Sequence, residues 1–61
     1  MNAKQLIKLL EDGGWYEARC KGSHRIFKHP DKNATIPVAF HGNKDIPIGT
    51  LKKILKMADL N

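Results

Sequence analysis

Apolar residues at Ala3, Leu6, Ile7 and Leu10 recur at the spacing of one helical face, which predicts an amphipathic helix from about Ala3 to Asp12. Asn2 followed by Gln5 is a capping box, and Met1 stands where it can staple onto Leu6. Gly13-Gly14 supplies the left-handed backbone that ends the helix. The pattern then changes to alternation. In "WYEARCK", Tyr16, Ala18 and Cys20 fall on one face of a half-buried strand, and Glu17, Arg19 and Lys21 on the other. Gly22-Ser23 suits a two-residue hairpin turn with glycine at the first central position, and "HRIFKH" returns as a second strand. "PDKN" is turn chemistry, and "ATIPVAFH" reads as a third strand with Ile36, Val38 and Phe40 on its apolar face. Pro37 cannot donate to a ladder, so that strand belongs at a sheet edge.

"IPIGTLKKILKMADL" restores helical spacing, with Pro47 suited to the first turn and Leu51, Ile54, Leu55 and Ala58 forming the buried stripe. The predicted fold is therefore α+β with order α-β-β-β-α, a three-stranded antiparallel sheet carrying two helices on one face. Its other face is left open. Thr50, Lys52, Lys53 and Lys56 lie off the stripe and read as a solvated face.

Each strand step reverses side-chain direction, so the turn position determines where every side chain points. With Gly22-Ser23 as the turn, Lys21 faces His24 and Ala18 faces Phe27. Phe27 joins the core with Tyr16, Ala18 and Cys20, while His24, Ile26 and Lys28 share the open face with Arg19 and Lys21. Arg25 and His29 fall on the core side near the strand ends. A three-residue loop over Lys21 to Ser23 would reverse this parity; the first register is preferred because it buries the larger aromatic and leaves an ionisable ring in water. On the third strand, Phe40 turns inward and His41 outward, opposite His24 or one step diagonal to it.

With 61 residues the chain suffices for one small domain, which at this size buries about 60% of its unfolded surface, so no deep substrate cavity is expected. The net charge of +5 favours a polyanionic partner, nucleic acid or an acidic protein. The single Cys20 excludes an internal disulfide framework and suits a reducing, cytoplasmic setting. No apolar run approaches the ~18 residues of a membrane span, so no membrane partner is expected.

Four chemistries are open to a histidine placed as His24 is: a turn accessory, a metal ligand, a phosphate contact or a proton-transfer group. Metal binding is poorly supported, because His24 and His29 point to opposite faces and no Cys or carboxylate cluster completes a ligand set. No cofactor is expected. A Cys20–His24 nucleophile pair fails on the same parity. Proton transfer needs neither, because RNA brings its own 2′-hydroxyl nucleophile: a base to remove that proton, with cations to hold the phosphate, can suffice. Arg19, Lys21, Arg25 and Lys28 are the cations near His24, and Lys44 in "HGNKDIP" lies near a helix N-terminus that can hold phosphate. Trp15 either stacks on a base or covers a helix end, and His29 before Pro30 reads as a turn residue.

"GSHRIFKHPD" from Gly22, "IPVAFHGNKDIPIGTLKKILKMA" from Ile36 and "LIKLLEDGGW" from Leu6 together resemble the HicA toxin family along essentially the whole chain, as one domain over 1–61. The resemblance implies a fold like the double-stranded RNA-binding domain, ribosome-independent cleavage of messenger RNA, and a partner antitoxin of the HicB type forming a hetero-oligomer with it. It also implies that His24, the histidine of the Gly-Ser-His block, is the essential catalytic residue. Many members follow it with a second histidine; here Arg25 stands in that place, and His41 is the alternative second group. The expected RNA contacts are Lys21, Ser23, Arg25, Lys28 and Lys44. The rival reading from another class is a non-catalytic RNA-binding module of the same fold.

Overall fold

The structure, a computed structural model, describes residues 1–60. The elements run α1 (Ala3–Asp12), β1 (Tyr16–Lys21), β2 (His24–His29), β3 (Lys32–Ala39) and α2 (Ile48–Met57), and the antiparallel sheet has the order β1-β2-β3. This is the predicted α-β-β-β-α layout. The capping box is formed at α1: the Asn2 side chain accepts from the Gln5 N–H at 2.9 Å, and the Gln5 side chain accepts from the Asn2 N–H at 3.0 Å. Gly14, at φ 94°, takes the left-handed turn into β1.

One buried cluster joins the layers. Ala3, Leu6 and Leu10 of α1 and Ile54 of α2, with Ala58 just beyond it, meet Phe27, Ile36 and Val38 of the sheet, with Leu51, Leu55 and Phe40 packed at the margin. The predicted stripe of the second helix thus does pack on the sheet. Pro47 stands one residue before α2, as its N-cap, rather than inside the first turn.

The first strand departs from expectation. An extra residue at Ala18 breaks the β1–β2 register, so Glu17 rather than Ala18 lies opposite Phe27, and Arg19 lies opposite Ile26. Parity is reversed upstream of the bulge. Tyr16, expected in the core, pairs with Lys28 and is 50% exposed; Ala18 and Cys20 are exposed as well. Trp15 takes the core position instead, 2% exposed, and its ring meets His29 edge-on at 5.3 Å between centroids. Buried there, the ring is not free to stack on a base, and the Trp15 backbone N–H donates to the Leu10 carbonyl at the end of α1 at 2.9 Å.

β3 begins and ends earlier than predicted, because His29 pairs with Lys32 across the two residues Pro30 and Asp31. Its last residue, Ala39, lies opposite His24, and Phe40 then donates its N–H to the Ser23 carbonyl at 2.7 Å. The segment leading to α2 is tied to the chain start. Asn2 and Asp45 form an antiparallel bridge, Ile46 donates to the Met1 carbonyl at 2.9 Å, and the Asp45 carboxylate lies 3.7 Å from the Met1 amine.

Candidate nucleic-acid interface

Gly22, at φ 61°, makes the predicted two-residue turn, so Lys21 stands opposite His24. This is the preferred register of the two. From that pairing the open face follows: Arg19 and Lys21 on β1, His24, Ile26 and Lys28 on β2, Pro37 and Ala39 on β3. His24 is exposed. Arg19, Lys21, Gly22, His24, Ile26 and Pro37 line a shallow depression of about 520 Å³ on this face.

A second recess of about 460 Å³ begins where the first ends. Its walls include Pro37, Val38 and Ala39 of β3, Ile46 and Pro47 of the connecting segment, and Thr50 and Ile54 of α2; His24, His41 and Lys44 stand among the lining residues. Both parities of β3 contribute, so the recess lies along the border of the sheet rather than over one face. His24 and Pro37 belong to both hollows.

The structure therefore gathers His24, His41 and Lys44 around one cavity and keeps Lys21 directly beside His24. His41 lies two residues past the partner of His24, consistent with the expected diagonal placement. Ser23 is exposed in the turn, its carbonyl committed to Phe40. Lys28 stays on the open face but at its far end, opposite Tyr16.

Arg25 lies on the core side, as strand parity predicts. Its Cα partners are Cys20 and Val38, which places it on the helix side of the sheet, opposite in direction to His24. There its guanidinium lies 3.3 Å from the Glu17 carboxylate and 4.4 Å over the Phe40 ring. The bulge at Ala18 puts Glu17 on this side. A strand neighbour of His24 is thus not a face neighbour, and Arg19 stands on the open face as expected.

His29 has a structural role that the sequence reading put down to the turn alone. Its Nδ1 accepts from the Asp31 N–H at 3.0 Å, which leaves Nε2 to donate to the Gly13 carbonyl at 3.1 Å. It closes the β2–β3 turn and holds the end of α1. Cys20 points away from His24, with its thiol 3.5 Å from the Gly22 carbonyl. Thr50 is exposed, as expected of the solvated face, and it also lines the cavity. Its place in the first turn of α2, after a connecting segment that carries His41 and Lys44, was the available signal.

A family model described as the HicA toxin of bacterial toxin-antitoxin systems matches residues 3–60. The chain belongs to the HicA toxin family. No curated protein matches it. As a HicA toxin it is one half of a toxin-antitoxin pair, so an antitoxin is among its partners. Among the described residues, no helix of this toxin is long and apolar enough to cross a membrane.

Proposed function

We propose that this toxin is a cytoplasmic endoribonuclease that cleaves messenger RNA without a metal, using His24 to move protons. The observation that carries the reading is the position of His24: exposed on an open sheet face, opposite Lys21 and beside Arg19, at the junction of the two hollows. Membership of the HicA family supports it independently.

In this scheme the His24 imidazole takes the proton from a ribose 2′-hydroxyl. The 2′-oxygen attacks phosphorus, the P–O5′ bond breaks, and the departing 5′-oxygen is protonated by a second group. His41 is the candidate for that group. Lys21, Arg19 and Lys44 hold the phosphate and stabilise charge that builds on its oxygens. Ser23 supports the turn beside them, and Lys28 extends the track for the strand. Arg25, tied to Glu17, contributes packing. Cleavage by this route leaves a 2′,3′-cyclic phosphate and a 5′-hydroxyl. The partner antitoxin, of the HicB type, silences the toxin by covering this basic face with acidic groups.

The test is RNA degradation in the presence of chelator by the wild-type protein and His24→Ala, with circular dichroism as the control for folding. The variant is expected to lose about 10²–10⁴-fold in rate. A folded His24→Ala protein that degrades RNA at the wild-type rate overturns the assignment, and tight binding with intact RNA by the wild type returns the rival reading of a non-catalytic module.

A further inference from the structure

The wall of the border cavity can be read from backbone alternation along β3. Phe40 donates its N–H toward β2, to the Ser23 carbonyl, so Val38 and Ile36 also direct their backbone groups that way. Pro37 and Ala39 direct theirs to the free border, where the cavity lies. Pro37 has no N–H to offer. The wall therefore presents the Ala39 N–H flanked by the carbonyls of Pro37 and Ala39, between apolar surfaces from Ile46, Pro47 and Ile54. An apolar recess with a few convergent polar groups is the usual form of a small-molecule site, and about 460 Å³ lies within the range of such sites, roughly 300–1,000 Å³.

The rim has a different character. His24, His41 and Lys44 stand there; among the described residues Asp45 is the one acid in the lining, with the Met1 amine 3.7 Å from its carboxylate. A lysine and two imidazoles at the mouth, with donors and acceptors inside an apolar slot, suit one chemistry: a nucleotide whose phosphate stays at the rim while its base turns inward. We propose that the cavity between β3 and α2 binds the unstacked base adjoining the cleaved bond, with the Ala39 N–H and the neighbouring carbonyls reading its edge. The proposal rests on the endoribonuclease reading. It also names the substrate class, because a base held in a duplex is stacked and paired and has to be extruded before it can enter. The substrate is unpaired RNA, despite a layout shared with duplex-binding domains.

Two experiments, run side by side, test it. In the first, an RNA hairpin with a randomised loop and the same strand annealed to its complement are given to the wild type, Ala39→Leu and Thr50→Leu. Cuts are expected in the loop alone, with the duplex slower by about tenfold or more and the cavity-filling variants slowed to a similar degree. Duplex cleavage at the loop's rate, or wild-type rates in both folded variants, overturns the proposal. Absence of cleavage in every RNA defeats the nuclease reading instead, and the second experiment then decides the cavity on its own. There, 15N-labelled His24→Ala protein is titrated with uridylate and adenylate hexamers. Shifts at the amides of Val38, Ala39 and Thr50 support the base site. Shifts confined to β1 and β2, no shifts at all, or cavity shifts produced by an acidic peptide and by neither hexamer, overturn it.

Discussion

The three imidazoles of this chain have different surroundings, and those surroundings separate their roles. His24 and His41 line a cavity, whereas both ring nitrogens of His29 are engaged by backbone groups of the β2–β3 turn and the end of α1. Removing the His29 ring should therefore affect the fold and leave the chemistry alone. His29→Ala is expected to lower stability by about 1–3 kcal/mol, through the lost hydrogen bonds and the edge contact with Trp15, while RNA cleavage per folded molecule stays at the wild-type level. Urea unfolding followed by tryptophan fluorescence, beside the cleavage assay, checks both halves. The direction of His24 was legible because it sits next to a turn whose length fixes its parity. That of Tyr16 was not, because counting residues assumes one partner per position and Ala18 has none.

At the level of elements, the helices were legible almost to the residue. Asn2, Gln5 and the apolar spacing act locally, and local signals survive without knowledge of the rest of the chain. The start of α1 therefore invites a direct test. Asn2→Ala removes the side chain that accepts from Gln5 and is expected to cost about 1 kcal/mol, seen as a lower urea midpoint with unchanged slope. Asn2 also bridges Asp45, so amide exchange should quicken between His41 and Ile46 in the same variant. The strands were harder. Their existence and the turn at Gly22 followed from alternation and glycine, but β3 gained Lys32 and Asn33 and lost Phe40 and His41 to the connection. The border cavity was invisible for the same reason: three separated segments build it, and none carries a motif of its own. The expectation of no deep cavity from chain length assumed that a site needs an interior, and this one lies along a sheet border.

For the molecule as a whole, the charge of +5 is distributed so that Arg19, Lys21 and Lys44 adjoin His24 or its cavity, while Lys52, Lys53 and Lys56 are exposed on α2. If the first three alone neutralise phosphates, a plot of log affinity against log salt for single-stranded RNA should have a slope of about −2. Lys44→Ala should make that slope shallower by about 0.7. Fluorescence anisotropy of a labelled oligonucleotide with His24→Ala protein, over a range of potassium chloride, measures both. A slope unaffected by Lys44→Ala would move the RNA track away from the connecting segment. The whole-chain arrangement was foreseeable in outline from one apolar face shared by two helices. The partition of cations between the two sheet faces also followed from the turn at Gly22, which puts Arg19 and Lys21 on the open face and Arg25 on the helix side; the Arg25–Glu17 ion pair did not, because the irregular residue Ala18 turns Glu17 to that side.

That irregular residue also governs how copies of the protein meet one another. β1 borders the sheet, and an outer strand with a regular backbone invites a neighbour to pair with it. With Ala18 protruding from the ladder, the ribbon is twisted and bent at mid-length, so a stacking strand finds its bonds out of step. Strand pairing across the β1 border is thereby discouraged by geometry rather than by charge, and it remains discouraged in salt concentrated enough to mask every lysine.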